Sequence, residues 1–166
     1  MLLRLVFSKQ MGRPALTKAL SLGEATVKTM IKNLGTEGIM ESSSRGQVLT
    51  VKGADIAKRI EERISHPVNV KVPEISGKSS VAFIVRGARE KIRKGIEQRD
   101  EGIKHNVDVT TLVFEEGKIR FPGTRNVAGI RELEGALAEG DAILISSGKN
   151  IGEAKKGGFA VALAII

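Results

Sequence analysis

The stretch Ser147-Gly148-Lys149-Asn150 comes nearest in this chain to a phosphate-cradling loop. Such a loop needs glycine five positions before Gly148 and a hydroxyl after the lysine. Ile143 and Asn150 stand there instead, which excludes it. Arg99-Asp100-Glu101 offers two carboxylates, but neighbours on a helix point in different directions, so the three read as a solvated or salt-bridged face. His66 and His105 lie in different expected elements and do not by themselves make a closed metal site. The chain has no cysteine, which removes thiolate nucleophiles, disulfides and thiolate metal sites. No nucleophile with a matching base stands out. The expectation is a protein without catalytic activity, cofactor or metal; the alternative is an enzyme acting on an anionic small molecule, with the first domain as a targeting module.

A different chemistry is offered nearer the N-terminus. In EATVKTMIKNLG, the residues Val27, Met30, Ile31 and Leu34 recur at helical spacing and predict a buried stripe. The opposite face then carries Glu24, Ala25, Thr26, Lys28, Thr29, Lys32 and Asn33. A helix fits the major groove of duplex DNA, where threonine meets base edges or the thymine methyl and lysine reaches guanine or phosphate. A few residues on, Ser43, Ser44 and Arg45, next to Ser42 and Gly46, combine short hydroxyls with one long cation, a composition suited to phosphate or minor-groove contact. Residues 1–52 hold eight basic and three acidic side chains, so this third of the chain carries most of the overall charge of +8. The bias suits a polyanionic partner. With no Trp, no Tyr and five Phe, the chain lacks the aromatic platforms on which single-stranded nucleic acid stacks.

The elements that must position these residues follow from punctuation. Residues 2–10 predict a short helix; Gly12-Arg13-Pro14 ends it and starts PALTKAL; Leu20-Ser21-Leu22-Gly23 is a tight connection into the third helix. Leu22 and Val27 fall at the positions of a hydrophobic staple, with Gly23 as N-cap and Glu24 on the first-turn dipole. A hairpin over residues 38–51 and a helix over GADIAKRIEERI complete a first domain of residues 1–66. Residues 67–80, with two prolines, glycine and serines, read as a linker. A second domain, 81–166, alternates strand VAFIVRG, helix 88–106, hairpin 109–123, helix 127–140, strand DAILISSG, a polar stretch and a final strand FAVALAII. The fold class expected is α+β, an N-terminal winged helix-turn-helix followed by a small α/β sandwich with a mixed sheet.

The order of helices and hairpin resembles the winged helix-turn-helix transcription regulators. It rests on Leu20, Thr26-Val27, Leu34, Gly38-Ile39 and Leu49-Thr50 followed by Gly53. The whole chain resembles an archaeal family of winged-helix proteins whose C-terminal domain has no known function, through Arg99-Asp100-Glu101 with Ile103-Lys104, Lys118-Ile119 before Phe121-Pro122, and Gly140-Asp141-Ala142-Ile143-Leu144-Ile145. The resemblance implies a sequence-specific regulator binding double-stranded DNA.

For the second domain the expectation is effector sensing or dimerisation. If VAFIVRG and DAILISSG ran parallel, Arg86, Ser146, Ser147 and Lys149 would share one rim of the sheet, with Gly87 and Gly148, as a pocket for a carboxylate or phosphate effector. A homodimer is expected, with the hairpin or the final strand as its seam. Neither the apolar start, interrupted by Arg4, nor the apolar end is long enough to cross a bilayer, so a cytoplasmic protein without a membrane partner is expected.

Overall fold

Helix α1 (Leu2–Ser8) buries Leu2, Arg4 and Val6. In a computed structural model of the chain, which describes residues 1–72, 79–124 and 129–166, it opens a compact unit spanning Met1–Glu61; a second unit spans Glu62–Ile166. The first unit continues with α2 (Arg13–Leu20), α3 (Glu24–Thr36), a hairpin of β1 (Met40–Ser43) and β2 (Gly46–Leu49), and most of α4 (Val51–Arg63). Its core is Leu2, Val6, Leu16, Leu20, Val27 and Met40, with Met30, Ile31 and Leu34 packed against it half-buried. The stripe expected on α3 therefore faces this core.

Two polar features hold the helices in place. Arg4, 7% exposed, grips Glu61 of α4 with both ends of its guanidinium, Nε to Oε1 at 2.5 Å and Nη2 to Oε2 at 2.8 Å. A buried arginine without such a partner would be strongly destabilising. Thr50 caps α4: its Oγ1 accepts the Gly53 N–H at 3.1 Å and donates to the Gly38 carbonyl at 2.7 Å. Gly53 must be glycine, because a β-carbon there would stand 1.9 Å from the Ile39 carbonyl oxygen.

The second unit is built on a five-stranded sheet in the order β3-β4-β7-β5-β6, from β3 (Val68–Asn69), β4 (Ser79–Val85), β5 (Asp108–Glu115), β6 (Lys118–Arg120) and β7 (Ala142–Gly148). All four pairings are antiparallel, so the expected mixed sheet and the expected parallel run of VAFIVRG and DAILISSG are both corrected. The connection between β4 and β7 passes through a helix and the β5–β6 hairpin, and β7 enters between β4 and β5 against both. Residues 67–80, expected as a linker, instead contribute β3, the buried Val70 and Val72 and the start of β4; residues 73–78 of that stretch lie outside the described residues.

One face of this sheet carries Ala82, Ile84, Leu112, Ile143 and Ile145 and is covered by Val70, Val72, Ile130 and Leu133. Helices α5 (Ile96–Lys104) and α6 (Ile151–Leu163) cover the other. Helix α6 overturns the expected final strand FAVALAII. Asn150 caps it by accepting the Glu153 N–H at 3.0 Å, while its side-chain amide donates back to the Glu153 carboxylate at 3.1 Å. Gly157 and Gly158 let it lie flush on the sheet, since a β-carbon at Gly158 would stand 2.6 Å from Ser146 Cβ and 2.7 Å from the Phe83 ring. The expected helix 88–106 is broken by Gly95, at φ 78°, into a 3-10 turn at Arg89–Lys91 and α5. Of the expected helix 127–140, residues 127–128 lie outside the described residues, and the rest holds only a 3-10 turn at Arg131–Leu133, after which Glu134 leaves the helical region and Gly135 stands at φ 75°.

Candidate nucleic-acid interface

The turn between α2 and α3 is set by Ser21 in the left-handed region, φ 51°. The Ser21 N–H donates to Lys18 O and the Leu22 N–H to Thr17 O, both at 3.2 Å, which satisfies the last carbonyls of α2 and turns the chain sharply. Gly23 then starts α3 in extended conformation, with the Val27 N–H donating to its carbonyl at 3.1 Å. Val27 is fully buried, an anchor worth about 2 kcal/mol in area removed from water. All seven residues expected to face outward, Glu24, Ala25, Thr26, Lys28, Thr29, Lys32 and Asn33, are exposed.

Two of the seven are partly engaged. The Thr29 hydroxyl donates to the Ala25 carbonyl at 3.0 Å, so its single proton is used within the helix and its free capacity is as an acceptor and a methyl. Glu24 lies 3.7 Å from Arg13, both well exposed, which is a weak surface pair. Lys28 and Lys32 project one helical turn apart on the same face.

In the hairpin, β1 and β2 are joined by Ser44 and Arg45, both exposed. The Ser43 hydroxyl accepts the Arg45 N–H at 3.2 Å and donates to the Gly46 carbonyl at 2.9 Å. Its hydrogen bonds therefore shape the turn, leaving Ser44 and Arg45 as the outward groups. The hairpin is tied down by a feature not visible in the sequence: Met11, between α1 and α2, forms a β-bridge to Gln47, whose N–H donates to Met11 O at 2.9 Å. Helix α3 packs against β1, so the exposed helix face and the hairpin belong to one rigidly braced unit.

The four residues expected as an effector pocket are not all brought together: Arg86 and Ser146 lie apart from Ser147 and Lys149. Val85 pairs with Ala142 and Ser79 with Gly148, so Arg86 follows one end of the β4–β7 ladder and Lys149 follows the other. Arg86 Nη1 donates to Asp141 Oδ2 at 2.6 Å and to Ala136 O at 2.8 Å. Asp141, 2% exposed, also accepts the N–H groups of Gly87 at 3.1 Å and Ala138 at 2.9 Å. This cluster closes the loops at that end of the sheet. Ser146 is fully buried under α6, while the hydroxyl of Ser147, on the opposite face, lies 2.8 Å from that of Ser80. Ser147 and Lys149 do share a cleft, of about 440 Å³, which Gly148, Asp108, Asn106 and Ile103 also line. The antiparallel register disperses the rim because adjacent strands that reverse direction place their C-terminal ends apart.

Among the described residues no group of three or more His, Asp or Glu side chains is arranged to hold a metal ion. No described helix is long and apolar enough to cross a membrane.

Among solved structures, the chain is similar to a hypothetical protein, PH0730, from the archaeon Pyrococcus horikoshii OT3, with 26% sequence identity, a TM-score of 0.74, and alignment over 99% of this chain and 90% of that one. No curated protein matches. A profile for a domain of unknown function, DUF4443, matches residues 75–165, which takes in β4 to β7, α5 and α6. The chain belongs to the DUF4443 family.

Proposed function

We propose that the chain is a sequence-specific regulator that binds double-stranded DNA through its first unit, a winged helix-turn-helix, with α3 in the major groove and the Ser44-Arg45 turn as a wing over the phosphates. The observation that carries this reading is the outer face of α3. Two lysines, two threonines and an asparagine stand exposed over a helix whose other side is anchored by Val27. Such a face combines phosphate neutralisation with groups that discriminate base edges. The order of three helices, hairpin and fourth helix supports it, as does the Met11–Gln47 bridge that holds the hairpin beside them. So does the exposure of Lys9, Arg13, Lys18, Lys28, Lys32, Arg45 and Lys52. With Thr29 donating inward, Thr26 and Asn33 carry the directional hydrogen bonding to bases, and Lys28, Lys32 and Arg45 the charge.

The test is selection of genomic DNA fragments by the purified chain, followed by sequencing. Enrichment of one motif is the expected result. Uniform recovery of all fragments, falling together as salt rises, would reduce the reading to non-specific polyanion binding.

A further inference from the structure

The cleft of about 440 Å³ beside Lys149 lies wholly within the second unit, between the end of α5, the start of β5 and the end of β7. Two opposite charges line it: Asp108, the first residue of β5, and Lys149, the residue after β7. Asp108 stands opposite Ser147 in the β5–β7 register, so these two side chains share one face of the sheet, with β-carbons about 5 Å apart. Asn106, held at φ 57° where the chain leaves α5, adds a carboxamide. Ile103 and Val107 supply the apolar lining, and Ile103 is 58% exposed.

The polar groups of this cleft are not spent within the fold. Asn106, Asp108 and Lys149 make no side-chain hydrogen bond or ion pair among the described residues. Their charged neighbours do: Glu101 holds Lys104 at 2.7 Å and His105 at 3.3 Å, and the Glu153 carboxylate accepts from the Asn150 amide at 3.1 Å. Asp108 and Lys149 therefore line one cleft without neutralising each other. A simple anion drawn to the lysine would meet the carboxylate as well, and a simple cation would meet the lysine. A ligand that carries both charges is complementary to both residues.

The same ligand needs an apolar part to cover Ile103 and Val107, and it must be small. An ammonium, a carboxylate and a short apolar chain on one small molecule describe an aliphatic α-amino acid. We infer that this cleft binds a free aliphatic α-amino acid, with its ammonium at Asp108, its carboxylate at Lys149 and Asn106, and its side chain against Ile103 and Val107. The site goes beyond the DNA-binding reading and stands independently of it. It also differs from the rim expected from the sequence, since Arg86 and Ser146 have no part in it and Asp108 excludes a simple anion. Asn106, Asp108 and Lys149 are all exposed, so the ion pairs with the ligand are screened by water. The dissociation constant expected for so open a cleft is about 0.1–10 mM.

Backbone amide NMR of the labelled full chain, titrated with leucine, valine and methionine in turn, tests it. Each amino acid is compared with the acid that lacks its ammonium and the amine that lacks its carboxylate; for leucine these are isocaproate and isoamylamine. At least one of the three amino acids should shift the amides of residues 103–109 and 147–150 and saturate, and its two one-charge relatives should bind about threefold or more weakly. Asp108→Asn should weaken the amino acid about threefold or more without weakening the acid, and Lys149→Gln should do the same without weakening the amine. Both positions are exposed at strand ends, and unchanged amide shifts elsewhere check that each variant is folded. Absence of a saturating shift with all three amino acids up to about 50 mM overturns the inference. So does an acid or amine that binds as tightly as its parent amino acid. Loss of binding in only one of the two variants would make the cleft a site for a single charge and overturns it equally.

Discussion

The α-carbon of Gly46 lies so close to the Met11 backbone that a β-carbon at position 46 would stand 2.7 Å from the Met11 carbonyl carbon and 2.8 Å from its oxygen. With φ at 128°, Gly46 also holds a backbone conformation that side-chain-bearing residues resist. The hairpin is thus docked through a glycine. Gly46→Ala should destabilise the first unit by about 2–3 kcal/mol, read from denaturant unfolding. Gly38→Ala is the control: also at positive φ, 64°, but with nothing within 4 Å of its β-carbon, it should cost only about 1 kcal/mol. Equal effects of the two substitutions would mean that the hairpin is not held at Met11.

Arg86 and Asp141 make the opposite point about the second unit, since residues suited to an anion are occupied with each other. Asp141→Ala strands the Gly87 and Ala138 N–H groups as well as the guanidinium, and should cost about 2–4 kcal/mol. Arg86→Gln should cost less, because the carboxylate keeps its two backbone donors. Thermal unfolding orders the two; a larger loss for Arg86→Gln would place the stabilisation elsewhere.

For Gly158, no β-carbon fits between α6 and the sheet, given its approach to Ser146 Cβ and Phe83. Gly158→Ala should therefore cost about 2–3 kcal/mol despite the higher helix propensity of alanine. Gly152→Ala, near the helix start and meeting only the Asn150 capping oxygen at 3.2 Å, should cost at most about 1 kcal/mol, well below Gly158→Ala. A stabilising Gly158→Ala would contradict the packing described for α6.

What could be read in the sequence follows the strength of its periodic signals. The Val27, Met30, Ile31 and Leu34 stripe, the Pro14 start and the alternating hairpin over residues 109–123 each carry a local rule, and each element stands near where it was expected. The α6 segment defeated that approach because FAVALAII is apolar on nearly every side, so helix and strand periods are indistinguishable over it. Its helix signal lay upstream, in the Asn150–Glu153 capping pair, and Gly157-Gly158 imitated a break while serving close packing. The effector rim failed for a non-local reason: strand direction depends on which strands pair, and the order β4-β7-β5 is not written in any short motif. The Met11–Gln47 bridge and the Arg4–Glu61 grip join residues far apart in sequence and were equally invisible.

The charge on the first unit leads to a salt-dependence prediction. Lys32→Ala and Arg45→Ala should each weaken binding to all duplexes and each lower the slope of log affinity against log salt by about one unit. Thr26→Ala should leave the slope unchanged and reduce discrimination between sequences. Fluorescence anisotropy across a salt series separates the two behaviours, and a slope unchanged in both Lys32→Ala and Arg45→Ala would remove these residues from the interface.

The central claim, that α3 and the hairpin turn meet DNA, is tested most directly by backbone amide NMR of the labelled full chain titrated with a duplex carrying the selected motif. The largest shifts should fall on residues 24–33 and 43–46, and should saturate at lower DNA concentration than with a scrambled duplex. Shifts confined to the second unit, or none at DNA concentrations that saturate binding by anisotropy, would contradict it.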